Sequence, residues 1–298
     1  MEEARLSLDE ANDLLSAWAW TRGRERGIRL LLIKGRTLSN DGLRAARTSA
    51  DVDALVEPAR FEEYCQAITE AGWQEIPQTF ASRAFTLHSR SFHREGWPNS
   101  FDVHRHFPGF LAEPEAVFGE LWARRRLAPF AHVPCPVPDR AANVLFLALH
   151  SLRSTDLRPR HRAELEHLLH VPLNETEKSE VAALAQATGA AAPAEEVLAR
   201  MGVDLSVDPA VRESEAYRHW RLTAVRVSAT PWLSLFLRAP WREKPRIAFR
   251  ALWPSTQDFS RYRPGVEPGF VPRARERLRR LGRGIRSLPR ALRELRDR

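Results

Sequence analysis

Residues 51–56 read Asp-Val-Asp-Ala-Leu-Val, so two carboxylates separated by a single residue lie at the start of a strand-like run. Side chains alternate across a strand, so Asp51 and Asp53 project from the same face. A second strand-like run, 101–104, carries a third acid, Asp102. On neighbouring strands the three acids would form an oxygen-rich site suited to Mg²⁺, which bridges nucleotide phosphates. The pattern indicates nucleotidyl transfer, although Asp-x-Asp alone also fits a solvated strand end.

Lys34 strengthens that interpretation because lysine is rare in this chain. Among 46 Lys and Arg residues only Lys34, Lys178 and Lys244 are lysines. Lys34 directly follows the apolar run 30–33, where a compact ammonium rather than a planar guanidinium indicates a phosphate contact. Gly35 permits an unusual backbone angle or the close approach of a phosphate. An ordinary turn remains an alternative, and no Gly-x-x-x-x-Gly-Lys-[Ser/Thr] sequence is present, which excludes a P-loop.

Three motifs together resemble a known family. Leu-Ile-Lys34-Gly35, Arg47-x-x-x-Asp51-Val-Asp53 and Asp102-Val-His104 are similar to the uncharacterised nucleotidyltransferase family of the DNA polymerase β-like superfamily. The resemblance extends to the helical segments 147–150 and 164–169 and to the C-terminal segments 251–255 and 261–264. Where the superfamily usually has a Gly-Ser pair, this chain has Lys34-Gly35-Arg36, and Glu164 stands where the helical half usually has an aspartate.

The resemblance implies an α+β fold, in which a nucleotidyltransferase domain with a mixed sheet flanked by helices precedes a helical domain. It implies that Asp51, Asp53 and Asp102 are catalytic and bind Mg²⁺ or Mn²⁺. It further implies that a nucleoside triphosphate is the substrate, contacted at its phosphates by Lys34 and Arg47. The nucleotide-binding residues expected on this basis are Lys34, Gly35, Arg47 and Ser49. In the implied reaction an acceptor attacks the α-phosphorus and expels pyrophosphate, with positioning and charge neutralisation providing most of the catalysis.

Histidines near Asp102 leave several interpretations open. His104 shares a strand face with Asp102 and could face the acceptor, support a metal ligand, bind a metal itself or be structural. His88, His93 and His106 lie in the same region, and imidazole favours transition metals over Mg²⁺. Cys65 and Cys135 form no Cys-x-x-Cys pair, so a structural zinc site is not expected. His150, in an apolar helical segment, is expected to be a core histidine.

Composition and length predict two domains and a reducing compartment. The 298 residues can bury a sizeable core, and two cysteines fit a cytoplasmic protein without a disulfide scaffold. We expect no signal peptide and no transmembrane segment, because no apolar stretch is long enough. The domains expected are a catalytic domain at 1–135, a helical domain at 136–270 and an Arg-rich amphipathic tail at 271–298, with the Pro-rich stretch 129–138 at the first boundary.

Hydrophobic periodicity and turn residues predict the elements within these domains. Helices are expected at 7–26, 36–45, 58–71, 139–153, 159–170, 176–189, 193–201 and 211–228. Strands are expected at 28–33, 51–56, 73–77, 83–94 and 100–106, the last two forming a hairpin around 96–99.

The tail combines charge with an apolar stripe. Residues 271–298 contain eleven Arg against three acids, a balance of +8 that equals the formal charge of the whole chain. Leucines and an isoleucine recur every three or four residues from Leu278 to Leu295, which predicts an amphipathic helix that Pro289 should kink or restart. The stripe could pack on the protein itself or on a partner helix, bind an anionic membrane surface, or lie beside nucleic acid.

These observations favour Mg²⁺-dependent transfer of a nucleoside monophosphate to a small-molecule or peptide acceptor, with natural-product biosynthesis as one setting. Two other hypotheses remain. The missing Gly-Ser pair suggests a degenerate nucleotide-binding or partner-binding protein without transferase activity. The basic tail suggests an enzyme that modifies RNA or tRNA by nucleotidylation.

Overall fold

The computed structural model describes residues 6–77, 88–153, 159–224, 229–252 and 270–296. Contacts divide the chain into two compact units. The larger comprises Met1–Ile76, His88–Arg153 and Arg160–Trp220, and the smaller includes Arg221–Arg298. The domain limits expected from the sequence, at 135/136 and 270/271, stay a prediction.

The larger unit combines one five-stranded sheet with a hairpin and a series of helices. Its first part runs α1 (Leu8–Glu25), β1 (Leu30–Ile33), α2 (Thr37–Asn40), β2 (Asp51–Val56), a 3₁₀ turn (Pro58–Arg60), α3 (Phe61–Glu70), β3 (Gln74–Glu75), β4 (Ser89–His93) and β5 (Ser100–His104). It continues with α4 (Pro114–Ala123), β6 (Arg126–Phe130), β7 (Val133–Val137), α5 (Arg140–Leu152), α6 (Pro159–Leu169), α7 (Glu175–Ala187), α8 (Ala191–Arg200) and α9 (Pro209–Glu213), and α10 (Glu215–Thr223) follows.

The sheet is mixed, with the order β1-β2-β5-β4-β3. β1 pairs antiparallel with β2, which pairs parallel with β5, and β4 pairs antiparallel with both β5 and β3. In the β2–β5 register Asp53 lies opposite Asp102, and in the β1–β2 register Ile33 lies opposite Asp53. The predicted α+β fold with a mixed sheet flanked by helices is confirmed.

Alternation along β2 separates the hydrophobic core from the acidic face. Val52, Ala54 and Val56 are buried in a core cluster with residues of α1 and α3. Asp51 and Asp53 therefore project from the opposite face, as strand geometry requires. The core is rich in aromatic rings: Trp73 lies 5.6 Å from Trp18 and 6.2 Å from Phe101, measured between ring centroids.

Several element predictions were wrong. The helix expected at 36–45 covers only Thr37–Asn40, because the chain turns at Gly42, whose φ is +69°. The strand expected at 73–77 is limited to Gln74–Glu75. Part of the strand expected at 83–94 is present as β4, while residues 83–87 lie outside the described segments. The helix expected at 211–228 is interrupted at Ser214, and residues 225–228 lie outside the described segments.

The hairpin β6–β7 and helix α4 were not predicted at all. The Pro-rich stretch 129–138 was interpreted as a boundary, but most of it belongs to this antiparallel hairpin. Prolines are compatible with a two-stranded hairpin because each strand has one edge that needs no N–H donor. Cys135 and Val137 of β7 are buried in the same core cluster as β1 and β2. The stretch is therefore part of the larger unit's core.

The smaller unit contains α11 (Thr230–Arg238), α12 (Lys244–Leu252) and α13 (Phe270–Arg296), which contact one another. The predicted tail helix is confirmed, and of the two effects expected at Pro289, a kink or a restart, the restart is excluded because one helix continues through this residue. Part of its apolar stripe is exposed. Leu278 and Ile285 are each 62% exposed, and Leu288 and Leu292 are also exposed, whereas the small side chain of Ala291 is buried. Segments 253–255 and 261–264 of the family resemblance lie outside the described residues.

Within the described residues no helix is both long and apolar enough to cross a membrane.

Two glycines with similar backbone angles allow a matched test of packing around the helical part. Gly189 has φ of +72°, and a Cβ there would lie 2.7 Å from the backbone nitrogen of Ala112. Gly202 has φ of +75°, but a Cβ there would meet only the flexible side chain of Lys178, at 3.5 Å. Alanine at Gly202 should cost about 1 to 2 kcal/mol of unfolding free energy from the left-handed conformation alone. Gly189→Ala should cost measurably more in urea unfolding, and equal losses would contradict a backbone clash at Gly189.

Candidate active site

Parallel pairing of β2 with β5 brings two predicted acids together. Asp53 and Asp102 are register partners, and His104 follows two residues later on the same face of β5. Asp53, Asp102 and His104 each offer a ligand atom, and these atoms all lie within 4.8 Å of one another. The predicted convergence of Asp53 with Asp102 is therefore observed in the geometry.

Asp53 is buried and has two cationic or polar partners. Lys34 Nζ lies 2.6 Å from Asp53 Oδ1, and His104 Nε2 lies 2.8 Å from the same oxygen. Burial by itself raises the pKa of the Asp53 carboxyl, but the charge of Lys34 and the hydrogen bond from His104 outweigh it. The net result is a pKa well below the ordinary value, so Asp53 is a carboxylate at neutral pH.

Asp102 has the opposite shift. Burial is the largest effect and raises the pKa of the Asp102 carboxyl, and the neighbouring charge of Asp53 raises this pKa further. A hydrogen bond from Ser91 acts in the opposite direction and lowers it. Asp53 is buried and Asp102 is partly buried, and the ammonium of Lys34 contacts only Asp53, so negative charge is left uncompensated. A divalent cation would relieve that repulsion, and the two carboxylates with the imidazole are a donor set that such a cation accepts. The residues present therefore fit a divalent metal.

Lys34 reaches Asp53 from a turn with an unusual backbone. Its φ is +60°, and that of the following Gly35 is +53°. Lysine rarely adopts this left-handed conformation, which is strained for any residue with a Cβ and concentrates at functional sites. Two side chains hold the carbonyls of this turn: Thr37 Oγ1 donates to Lys34 O at 2.7 Å, and Arg44 Nη2 donates to Gly35 O at 2.6 Å.

Asp51 and Ser49 lie beside this group without joining the Asp53–Asp102–His104 cluster. Ser49 Oγ donates to Asp51 Oδ1 at 2.8 Å, and Asn12 Nδ2 of α1 donates to Ser49 O at 2.8 Å. A cleft of about 140 Å³ is lined by Lys34, Gly35, Ser49, Asp51 and Asp53 together with polar residues of α1. Five predicted site residues thus share one cleft.

Arg47 has a different neighbour from the one expected. It was predicted to contact phosphates, but its Nε lies 3.1 Å from Glu164 Oε1 on α6. Arg44, which sequence analysis did not single out, is buried and lies 3.6 Å from the same carboxylate through Nη1. Burial lowers the pKa of Arg44 to about 10, helped by the charge of Arg47 and opposed by Glu164. Among the described residues Glu164 Oε2 has no hydrogen-bond partner, so one oxygen serves both arginines.

The sequence carried a partial signal for this contact. Glu164 was noted as the acid of the helical part, and Arg47 as part of the motif before β2. What the sequence could not indicate is that they meet, because they are 117 residues apart.

The histidines form a buried array behind the carboxylates. The ring of His104 stacks on that of His88, with centroids 5.9 Å apart, and His106 lies 5.7 Å from His88. Burial lowers the pKa of His88 well below its ordinary value and that of His106 to about 4, so both are neutral at pH 7. In the described part of the chain His104 Nδ1 has no hydrogen-bond partner. His93 lies on β4 and is exposed.

His150 differs from the satisfied core histidine that was expected. Its Nδ1 is buried and has no hydrogen-bond partner among the described residues, and its ring lies 4.6 Å from that of His161. Burial, followed by the charge of Lys34, lowers its pKa well below the ordinary value. The neutral imidazole of His150 therefore lies close enough to Lys34 for the ammonium charge to lower its pKa. Cys65 and Cys135 are both buried and free.

The chain belongs to the family described as uncharacterised nucleotidyltransferases, whose model matches residues 21–203. It is therefore a transferase of that superfamily, and the resemblance found in the sequence motifs is confirmed.

Solved structures of nucleotidyltransferases are similar at low identity. The lincosamide antibiotic adenylyltransferase LnuA, solved with lincomycin bound, is 14% identical, with 59% of this chain and 96% of that chain covered and a TM-score of 0.32. The antibiotic-resistance factor ANT(2'')-Ia is 13% identical, with 65% and 91% covered and a TM-score of 0.37. The nucleotidyltransferase toxin MenT4 of Mycobacterium tuberculosis is 13% identical, with 82% and 93% covered and a TM-score of 0.32. A comparison with curated proteins gives no match.

The buried Glu164 allows a test of the arginine contacts. Glu164→Gln removes the negative charge between Arg44 and Arg47 and leaves a buried guanidinium without compensation. We expect a loss of roughly 3 kcal/mol in unfolding free energy, as for other broken buried ion pairs.

Glu195→Gln is the matched control, because Glu195 pairs with Arg212 and both side chains are largely exposed. That change should cost less than about 1 kcal/mol. Similar losses for the two variants in urea unfolding would show that the Glu164 contacts contribute little to stability.

Proposed function

We propose that this protein transfers a nucleoside monophosphate from a nucleoside triphosphate to a small-molecule or peptide acceptor, with Mg²⁺ or Mn²⁺ as the cofactor. The observation that supports it most directly is the placement of Asp53 beside Asp102, with Lys34 Nζ 2.6 Å from Asp53. Acids that hold a cation next to a fixed ammonium are the groups that phosphoryl transfer chemistry needs.

The carboxylates are assigned to the metal. Asp53 and Asp102 would hold it directly, and Asp51, on the same face of β2, would complete the set from the cleft side. The bound cation would neutralise the charge of the triphosphate. Lys34 and His104 both engage Oδ1 of Asp53 and so fix the orientation of its carboxylate. His104 therefore has the role of a residue that supports Asp53.

Lys34 is assigned to the phosphates together with Gly35 and Ser49. Its side chain is 14% exposed and lines the cleft, so its ammonium can exchange its contact with Asp53 for a phosphate oxygen once a cation compensates that carboxylate. Gly35, with no side chain, lets the triphosphate approach the turn closely. Asp102 has a raised pKa and lies at the same cluster, which suits acceptance of a proton from the attacking hydroxyl or amine.

Arg47 is assigned to the triphosphate as well, through a change of partner. Its side chain is 28% exposed, whereas that of Arg44 is 4% exposed. Arg47 can therefore turn toward an anionic ligand while Arg44 remains with Glu164. In this assignment Arg47 binds the substrate and Arg44 stabilises the structure.

One observation favours a second candidate, a nucleotide-binding protein without transferase activity. Lys34 already neutralises Asp53 in the place where a cation would act. Release of pyrophosphate separates the two candidates, since binding alone releases none.

The first prediction concerns the metal. Millimolar Mn²⁺ should raise the melting temperature of the wild-type protein, because a ligand that binds only the folded state stabilises it. Asp102→Asn should raise the melting temperature of the metal-free protein by removing a partly buried carboxylate next to Asp53, and should abolish the increase caused by Mn²⁺. Differential scanning calorimetry with and without Mn²⁺ measures both effects. An unchanged response to Mn²⁺ in Asp102→Asn would remove Asp102 from the metal site.

The second prediction concerns Lys34. Lys34→Arg keeps the charge but places a planar guanidinium in a turn that fits an ammonium, so turnover should fall about a hundredfold with the fold intact. Lys178→Arg is the matched control and should behave as the wild type, because Lys178 is partly exposed on α7 and, among the described residues, contacts only Glu175 in an ion pair. The measurement is pyrophosphate release from ATP, CTP, GTP and UTP with a panel of hydroxyl-bearing and amine-bearing acceptors. Wild-type turnover in Lys34→Arg would show that Lys34 is only a turn residue.

A further inference from the structure

The smaller unit contains a strong excess of positive charge. Within it, segments 229–252 and 270–296 contain fifteen Lys and Arg residues against Glu243, Glu276 and Glu294, a net charge of +12. The whole chain has a formal charge of +8, so all residues outside these two segments together carry −4. This excess favours an anionic partner.

The same unit exposes large apolar side chains. Seven of the eleven exposed large hydrophobic residues of the described chain belong to it: Leu237, Trp241, Phe249, Leu278, Ile285, Leu288 and Leu292. Four of these, Leu278, Ile285, Leu288 and Leu292, lie at helical spacing on α13 and are called here the exposed stripe. The three helices of the unit already contact one another, and the stripe stays exposed nonetheless.

The two features occur on one helix. Arg286, Arg290 and Arg293 are exposed and lie at three-residue and four-residue spacing, displaced from the exposed stripe around the helix axis. The unit also presents Trp241, which is 74% exposed and has the guanidinium of Arg242 5.3 Å from its ring centroid. Tryptophan with neighbouring cations is typical of side chains that reside at the headgroup level of a membrane.

We infer that the exposed stripe and the arginines of α13 bind an anionic membrane surface. An anionic bilayer can bind both features at the same time. Its anionic headgroups attract the arginines, and the apolar boundary of its acyl chains covers the aliphatic side chains. RNA would contact the arginines through its phosphates but would leave the aliphatic stripe in water. A second copy of the chain could cover the stripe only by bringing two strongly cationic units together.

Full-length protein is tested by co-sedimentation with vesicles. Wild-type protein should bind vesicles of phosphatidylcholine mixed with phosphatidylglycerol, bind pure phosphatidylcholine vesicles far more weakly, and lose affinity as salt is raised. Arg286→Gln, Arg290→Gln and Arg293→Gln combined should weaken binding to the anionic vesicles roughly a hundredfold, since each cation near the surface contributes about fivefold. The control combination Arg94→Gln, Arg125→Gln and Arg200→Gln changes the same charge on exposed positions of the larger unit and should have a small effect.

The stripe is tested with Leu278→Gln combined with Ile285→Gln. Binding to anionic vesicles should fall at least about tenfold, because two aliphatic side chains no longer enter the apolar boundary. Leu127→Gln is the control, since Leu127 is 63% exposed on β6. The melting temperatures of all these variants should stay close to that of the wild type.

Four results would overturn the inference. Stripe variants that bind vesicles like the wild type would show that only charge matters, and unchanged salt-dependent RNA binding by them would assign the surface to nucleic acid. A large drop in melting temperature would show that the stripe packs within the protein. A wild-type dimer in sedimentation velocity that the stripe substitutions dissociate would assign it to a second copy.

Discussion

Two carboxylates on adjacent parallel strands, one buried and one partly buried, are the constraint that organises this protein. Asp53 and Asp102 are placed side by side by the backbone register, which their mutual repulsion opposes. The surrounding groups compensate only one of them: Lys34 and His104 both contact the same oxygen of Asp53. The negative charge of Asp102 is therefore left uncompensated, and a bound cation would compensate it.

A second group of charges fixes the turn that delivers Lys34. Arg44 contacts Gly35 O and lies near Glu164, so the lysine turn and α6 share one buried guanidinium. Arg47 shares the same acid but keeps part of its side chain exposed. Arg44 thus connects the helical part of the larger unit to the backbone of the Lys34–Gly35 turn. A ligand that withdraws Arg47 from Glu164 would leave Arg44 to hold the turn.

Local patterns were sufficient for the sheet and its acids. Alternation along β2 and β5 placed Asp53, Asp102 and His104 on a common face, and the short apolar run ending at Lys34 marked the first strand. The family motifs extended this to the mixed sheet flanked by helices. These features depend on residues a few positions apart, which is the range over which periodicity and turn chemistry are informative.

Features that depend on distant residues were missed or wrong. The partner of Arg47, the role of Arg44 and the hairpin β6–β7 follow from packing between segments that sequence periodicity does not relate. Prolines at 129–138 suggested a boundary because proline usually marks a break, but burial of Cys135 and Val137 in the core dominates there. The stripe of α13 shows the converse, since its periodicity predicted a helix correctly without specifying what covers the apolar side.

The sequence distances within the site also determine when it can form during folding. His104 and Asp53 are 51 residues apart, and Arg47 and Glu164 are 117 residues apart, so both contacts close long loops. Contacts of this kind slow folding, since chain entropy is lost before the contact stabilises anything. Until β5 docks beside β2, Asp53 and Asp102 stay in separate, solvated segments and do not repel each other. A partly folded chain can therefore contain a β1–β2 pair and yet lack the Asp53–Asp102–His104 cluster.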